Sequence, residues 1–255
     1  MLTSLWLLKG FAVLLLFGVG LIGGFLPLRM REKEFSPLWF ALANAFAGGV
    51  FLAVGLIHML GDASSDFSAA FPGFAYPVVF LLAGCTFLLL LLVGKVLADE
   101  ENVTLRGKID SRTLLISLSI HSVLAGLALG IESTMSDAAV VLIALLAHKG
   151  IAAFALGNSF AASALGRGHI RFSLVLFACM TPLGVALGAV TNQAAGSSSI
   201  PILEPVFNAL AAGTFLYIAS LDILGREFSA RLQSAAKFAA VLIGFGLMAL
   251  VAIWT

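Results

Sequence analysis

Eight apolar stretches, each of roughly bilayer-spanning length, divide this chain, and that pattern leaves few folds open to it. They run from Leu2 to Leu26, Pro37 to Leu60, Tyr76 to Ala98, Arg112 to Ile131, Ala138 to Ala164, Phe172 to Asn192, Pro205 to Leu224 and Lys237 to Trp254. About 20 residues of helix cross a ~30 Å hydrocarbon core. Inside lipid each backbone N–H and C=O must be satisfied within its own segment, which selects helix for each span. With 61% hydrophobic and 11% charged residues, 255 residues carry too little polar surface to coat a soluble globule. The predicted fold class is therefore all-α: a polytopic membrane protein, one domain over residues 1–255, built as a bundle of eight transmembrane helices with no soluble module. The first stretch is too long for a removable signal and lacks its small-residue cleavage pattern, so it is read as a retained helix. Cys85 and Cys179 fall inside apolar spans and are expected to be small buried hydrophobes rather than a disulfide or a metal site.

A net charge of +1 conceals a strong asymmetry. Arg29, Arg31 and Lys33 lie in the first connection, Lys95, Arg106, Lys108 and Arg112 flank the third, Arg167 and Arg171 the fifth, and Arg226, Arg231 and Lys237 the seventh. The other connections, GDASSDFSAAFPGF, ESTMSD and TNQAAGSSSIPILE, contain no Lys or Arg. The positive-inside bias then puts the odd connections in the cytoplasm and both termini outside. Asp62, Asp66, Glu132, Asp137 and Glu204 gather on the outer side, where a field of acids concentrates cations. The long connection LADEENVTLRGKIDSR has mixed charge and reads as a linker between two groups of helices.

Two imidazoles stand where a membrane helix tolerates them least. Arg112 to His121 is about 14 Å of helix, half the hydrocarbon core, and Ala138 to His148 covers a similar depth in the opposite direction. Both therefore reach the midplane, in the matched decapeptides HSVLAGLALG and HKGIAAFALG. The short ESTMSD connection makes these helices antiparallel neighbours. Ala125, Gly126 and Ala128 on one, and Ala152, Ala153 and Ala155 on the other, are expected to bring the histidine faces together. Neutral imidazole is the commonest ligand for zinc and related divalent metals, and two at one depth point to that chemistry. Lys149, beside His148, is expected to face a hydrated cavity. His58 and Asp62, spaced i,i+4, lie on the outer path, and Asp222 and Glu227 close the inner end of the seventh helix.

These residues resemble the ZIP (ZRT/IRT-like) family of divalent metal transporters. HSVLAGLALG is similar to its fourth-helix signature and AHKGIAAFALG to its fifth in a His-Lys-Gly variant. FAGGVFLAVGLIHMLGDA, CMTPLGVALGA and AAGTFLYIASLDILGREF are similar to its second, sixth and seventh helices. The resemblance covers nearly the whole chain and implies an eight-helix bundle whose metal site lies between the fourth and fifth helices. His121 and His148 would carry that site, with Ser122 adjacent. The chain departs from the pattern at Ala125 and Ala152, where many members have carboxylates, and at Lys149, where two-metal members have a ligand. It departs again at Thr181, where some have Glu before Pro182, and at Asn208 with Ala209, where related seventh helices read Glu-Gly; Thr181, Glu204, Asn208 and Asp222 are expected along the ion pathway with His58 and Asp62. Fewer acids imply weaker or differently selective binding.

Other classes fare worse. Gly157-Asn158-Ser159 resembles the Gly-x-Ser setting of an intramembrane serine protease, but Ser159 is roughly 16 Å along the helix from His148 and the later helices offer no base. No phosphate-binding loop is present for an ATP-driven pump. The expected function is transport of a divalent metal toward the cytoplasm, zinc first with iron or manganese as other cargoes, by a non-enzyme with no cofactor. Its partners are that metal ion and the lipid bilayer, with no nucleic acid, and its expected location is a plasma or bacterial inner membrane. A transport-degenerate or structural member of the same family is the alternative, and whether the chain pairs as a homodimer stays open.

Overall fold

In the computed structural model residues 2–96, 106–195, 200–229 and 233–254 are described. Residues 97–105 of the long connection, residues 196–199 and Arg231 lie outside them. The described residues form eight helices long and apolar enough to cross a membrane, as expected from the hydropathy pattern. They are α1 (Leu2–Glu32), α2 (Pro37–Ala70), α3 (Val78–Val96), α4 (Arg106–Ile131), α5 (Met135–Ala162), α6 (Arg167–Ala195), α7 (Ile200 to Ser229) and α8 (Ser234–Val251).

Local chemistry sets several ends. Ser36 caps α2, its hydroxyl accepting from the Trp39 N–H at 3.4 Å, and Pro37 takes the first helical position, where no N–H is needed. Thr134 caps α5 through the Asp137 N–H at 3.1 Å and donates its own hydroxyl to the Asp137 carboxylate at 2.6 Å. Three helices are interrupted by π-helical turns, Val54–Met59 in α2, Leu92–Val96 in α3 and Ile218–Leu224 in α7. Each turn carries an ionisable residue of interest: His58, Lys95 and Asp222. Such wide turns re-aim side chains and recur at functional positions.

Several expected boundaries are corrected. α2 continues to Ala70, so Asp62 and Asp66 stand on its final turns rather than on a loop. The Ser68 hydroxyl bonds back to the Ser64 carbonyl at 2.7 Å, keeping that polar extension helical. α5 begins at Met135 and α7 at Ile200, each a few residues before the apolar run. The cysteines are also corrected: Cys85 is exposed and Cys179 half-buried, because both sit on the outward faces of apolar helices, where lipid replaces a protein core.

The helices associate in two sets of four. α1, α4, α5 and α6 pack chiefly on one another, and α2, α3, α7 and α8 form the second set. Small residues make this possible, since in lipid close backbone approach replaces the hydrophobic drive. Gly126 and Gly130 of α4 lie directly against Gly184 and Gly188 of α6, so a methyl group at any of the four would collide with the partner backbone. Gly157 of α5 rests on the backbone of Gly24 in α1, and Gly244 of α8 on that of Phe46 in α2. The expected α4 to α5 seam of small residues is therefore corrected. Gly126 serves α6, and Ala153 meets Gly23 of α1, which leaves the histidine faces of α4 and α5 free to turn toward α7.

Connections alternate between two ends of the bundle. One end holds Asp62, Asp66, Glu132, Asp137 and Glu204 around a common cavity. The other end holds Arg29, Arg31, Arg167, Arg171 and Arg226.

Candidate metal centre

His121 stands midway along the apolar span Ser111–Ile131 and His148 near the middle of α5, and both are buried. Their ring centroids lie 5.7 Å apart at 63°. Phe215 of α7 packs against both, at 3.7 Å from His121 and 5.1 Å from His148, so the pair sits where the two four-helix sets meet. The histidines come from one set and their aromatic wall from the other.

Hydrogen bonding resolves the roles of the His121 nitrogens. Thr214 Oγ1 donates to the Ala211 carbonyl at 2.6 Å, which spends its only hydrogen. The His121 Nδ1, 3.1 Å from the same hydroxyl, is therefore the donor, and Nε2 keeps its lone pair for a ligand. A metal-binding histidine is commonly oriented by such a second contact, which also fixes the tautomer. His148 Nδ1 is buried without a hydrogen-bond partner among the described residues. Neither Thr214 nor Phe215 was singled out from sequence. The one available signal was a lone Thr inside the apolar run AAGTFLY, which does not reveal that it faces a histidine 93 positions earlier.

A cavity of about 420 Å³ opens from the acidic end and is lined by His148 together with His58, Asp62, Asp66, Glu132, Asp137, Glu204 and Asn208. The expected pathway residues His58, Asp62, Glu204 and Asn208 are thus brought together with His148. Ala125 also lines it, on the face where a longer carboxylate would reach inward. His58 Nδ1 lies 2.6 Å from the Asp62 carboxylate, the i,i+4 contact expected from their spacing. Glu132 is almost wholly buried, with one carboxyl oxygen lacking a partner among the described residues and a side-chain contact to Glu204. Burial and then the Glu204 charge push its pKa up to about 8, so it holds a proton at neutral pH. Lys9, overlooked in the sequence, is buried at the same end and donates to the carbonyls of Gly130 at 2.6 Å and Glu132 at 2.7 Å.

Ser122, Lys149 and Thr181 turn elsewhere. The Lys149 ammonium donates to the Ser122 hydroxyl at 3.0 Å and lies 3.9 Å from the Phe177 ring centroid. Lys149, expected to face a hydrated cavity, is buried against a hydroxyl and an aromatic face, where cation–π attraction supports its charge. Position 149 is 100° round the helix from 148, so the two neighbours address different helices. Thr181 is buried beside Pro182 of α6, its hydroxyl without a partner among the described residues, and its carbonyl packs on Gly126.

The basic end is built differently. A cavity of about 310 Å³ there is lined by Arg31, Asn44, Asn158, Ser159, Asp222, Arg226 and Glu227, among others, and does not reach either imidazole. A polar chain crosses it: Arg31 donates to the Asn158 side-chain oxygen at 3.1 Å, Asn158 to that of Asn44 at 2.9 Å, and Asn44 to the Glu227 carboxylate at 2.8 Å. Lys237 pairs with the same carboxylate at 3.6 Å. Asp222, buried, faces Lys95 at 3.8 Å and Arg226 at 3.5 Å. Ser159, the candidate nucleophile, instead pairs with the Ser111 hydroxyl at 3.0 Å.

Among the described residues no group of three His, Cys, Asp or Glu is arranged to hold a metal by itself. Comparison with known proteins gives this geometry its context. A profile described as ZIP zinc transporter matches residues 96–252. Zinc transporter ZIP1 of Homo sapiens is 32% identical over 258 residues, covering 86% of this chain and 78% of that protein. Zinc transporter ZIP2 of Mus musculus is 29% identical over 263 residues, covering 84% and 85%, and zinc transporter 11 of Arabidopsis thaliana is 30% identical over 285 residues, covering 98% and 86%. With eight spanning helices and matches along nearly its full length, the chain belongs to the ZIP family of metal transporters, integral membrane proteins that move a metal ion and are not enzymes.

Proposed function

We propose that this chain is a single transport domain that carries zinc from its acidic end to its basic end, with the basic end in the cytoplasm and with His121 and His148 as the central ligands. One observation carries the reading: His148, one of a buried imidazole pair, lines a cavity whose walls carry the acids. Two neutral nitrogen donors with no carboxylate between them suit zinc better than manganese, which favours oxygen. The relatives named as zinc transporters agree. Asp62, Asp66 and Glu204 would gather the ion, and Asp222 and Glu227 would accept it beyond the histidines. The Lys149 ammonium, one residue from His148, disfavours a second cation there, so the site takes one ion. At an inside-negative potential of 100 mV an inward divalent ion gains about 4.6 kcal/mol, twice ~2.3 kcal/mol per charge, and no ATP is required.

Replacing His121 or His148 with Ala abolishes zinc uptake into cells or proteoliposomes while the protein stays folded in the membrane. Uptake at the wild-type rate by the double variant overturns the assignment. Parallel measurement with iron and manganese ranks the cargo. A transport-degenerate or structural role is the second reading, favoured by the absence of a three-ligand group among the described residues. It predicts that the wild type accumulates none of the three metals.

A further inference from the structure

At the basic end, away from the histidines, a second and larger cavity of about 730 Å³ lies between the end of α1, the end of α5 and the start of α6. Four guanidinium groups line it, Arg29, Arg31, Arg167 and Arg171, against one carboxylate, Glu32. Two of the four are engaged. Arg31 bonds Asn158 and stacks over Phe40 at 4.6 Å, and Arg167 lies 3.6 Å from Glu32. Arg29 and Arg171 have no hydrogen-bond or ion-pair partner among the described residues, and both are exposed. The first turn of α6 forms one wall, so its N-terminal dipole adds to the positive field.

The rest of the wall is apolar: Phe25, Leu28, Phe160, Leu165 and Ile170. This cavity continues into a groove of about 250 Å³ formed by Leu21, Ile22, Phe25, Leu26 and Arg29 on the outer face of α1, the two sharing Phe25 and Arg29. The groove runs from the arginines back into the membrane-spanning part of α1, where Ile22 is 71% exposed. A charged chamber at the membrane surface joined to an apolar channel within it matches one amphiphile in shape and sign. The chamber fits a phosphate headgroup and the channel an acyl chain.

We infer that this composite site binds one anionic phospholipid, its phosphate held by Arg29 and Arg171 and its acyl chain lying along Ile22 and Leu26. Basic pockets between transmembrane helices suit such headgroups, and planar guanidinium groups suit phosphate oxygens. General positive charge at this end would attract anionic lipid diffusely. The joined chamber and groove make the attraction local and limited to one molecule.

The test uses the full-length protein purified in detergent, mixed with equal amounts of phosphatidylglycerol and phosphatidylcholine, with retained lipid counted by native mass spectrometry. One phosphatidylglycerol per chain is expected, in preference to phosphatidylcholine. The double variant Arg29→Ala with Arg171→Ala should lower that retention about tenfold or more. Lys33→Ala removes one base from the same end but outside the cavity and should leave retention nearly unchanged. Ile22→Trp, which fills the groove at a lipid-exposed position, should weaken retention with all the arginines present. Equal retention of the two lipids overturns the inference, as does an equal loss in Lys33→Ala and the double variant. If millimolar inorganic phosphate displaces the lipid and Ile22→Trp has no effect, the chamber reads free phosphate, and the lipid assignment fails.

Discussion

The two ends of the bundle carry acids of the same chemical kind in opposite states. At the acidic end Asp62, Asp66, Glu132, Asp137 and Glu204 surround one cavity; among the described residues His58 contacts Asp62, and Lys9, near Glu132, gives its hydrogen bonds to backbone carbonyls. At the basic end Asp222 and Glu227 are each faced by cations, Lys95 and Arg226 for the first and Lys237 for the second. Carboxylates left without cations attract a cation from solution, whereas carboxylates already matched hold helices together. The consequence is directional. The acidic cavity reaches His148, while at the basic end a hydrogen-bonded chain joins α1 and α5 to α2 and α7 across the seam between the two sets. Among the described residues the acidic cavity reaches His148, and the cavity at the basic end touches neither imidazole.

The comparison breaks most visibly in stability. Asp222→Asn leaves two cations facing a neutral group and should cost on the order of 3 kcal/mol in unfolding free energy. Asp62→Asn, at a half-exposed carboxylate, should cost less than about 1 kcal/mol. Equal drops in thermal midpoint would falsify the division between matched and attracting acids.

Transport offers a second measure of the same contrast. Neutralising Asp62 and Asp66 together should slow zinc uptake severalfold at low ionic strength, with the deficit shrinking as added salt screens the field. A deficit that persists unchanged in high salt would mean that these residues act by direct ligation.

The smallest effect concerns the proton on Glu132. Its carboxyl titrates near 8 in the folded protein against 4.5 when exposed, so between those values the folded state binds more protons than the unfolded state. Stability is therefore greatest below about 4.5 as far as this group is concerned, and declines as pH rises toward 8. Glu132→Gln should show a flatter dependence of thermal midpoint on pH across that window. Identical slopes for variant and wild type would place the raised titration on another group.

Much of the molecule was legible before any coordinates. Hydropathy alone separates eight spans, because a continuous apolar run of ~20 residues matches the length of a membrane-crossing helix, whose backbone is satisfied within its own segment. His121 and His148 stood out because an ionisable group is costly at that depth, and the alternating Lys and Arg content identified the two ends. The acids of the outer connections were legible for the same reason, though their helical extension was not, since the polar turns after His58 resemble loop by composition.

What only the tertiary structure decided is which helix meets which. Hydrophobic pattern says that a helix spans but is silent on its neighbours, because lipid is as apolar as a packed helix face. Gly126 was therefore expected to face α5, and backbone contact with Gly184 gives it to α6 instead. Thr214 and Phe215 join the histidine centre from a helix that begins 79 residues after His121, and no local signal encodes that approach. The arrangement of the sequence determined that two imidazoles are buried at matching places in antiparallel helices. The folded packing of α7 against α4 decided which nitrogen of His121 is engaged and which keeps its lone pair, because a hydrogen bond across the seam is a property of three-dimensional proximity and not of residue order.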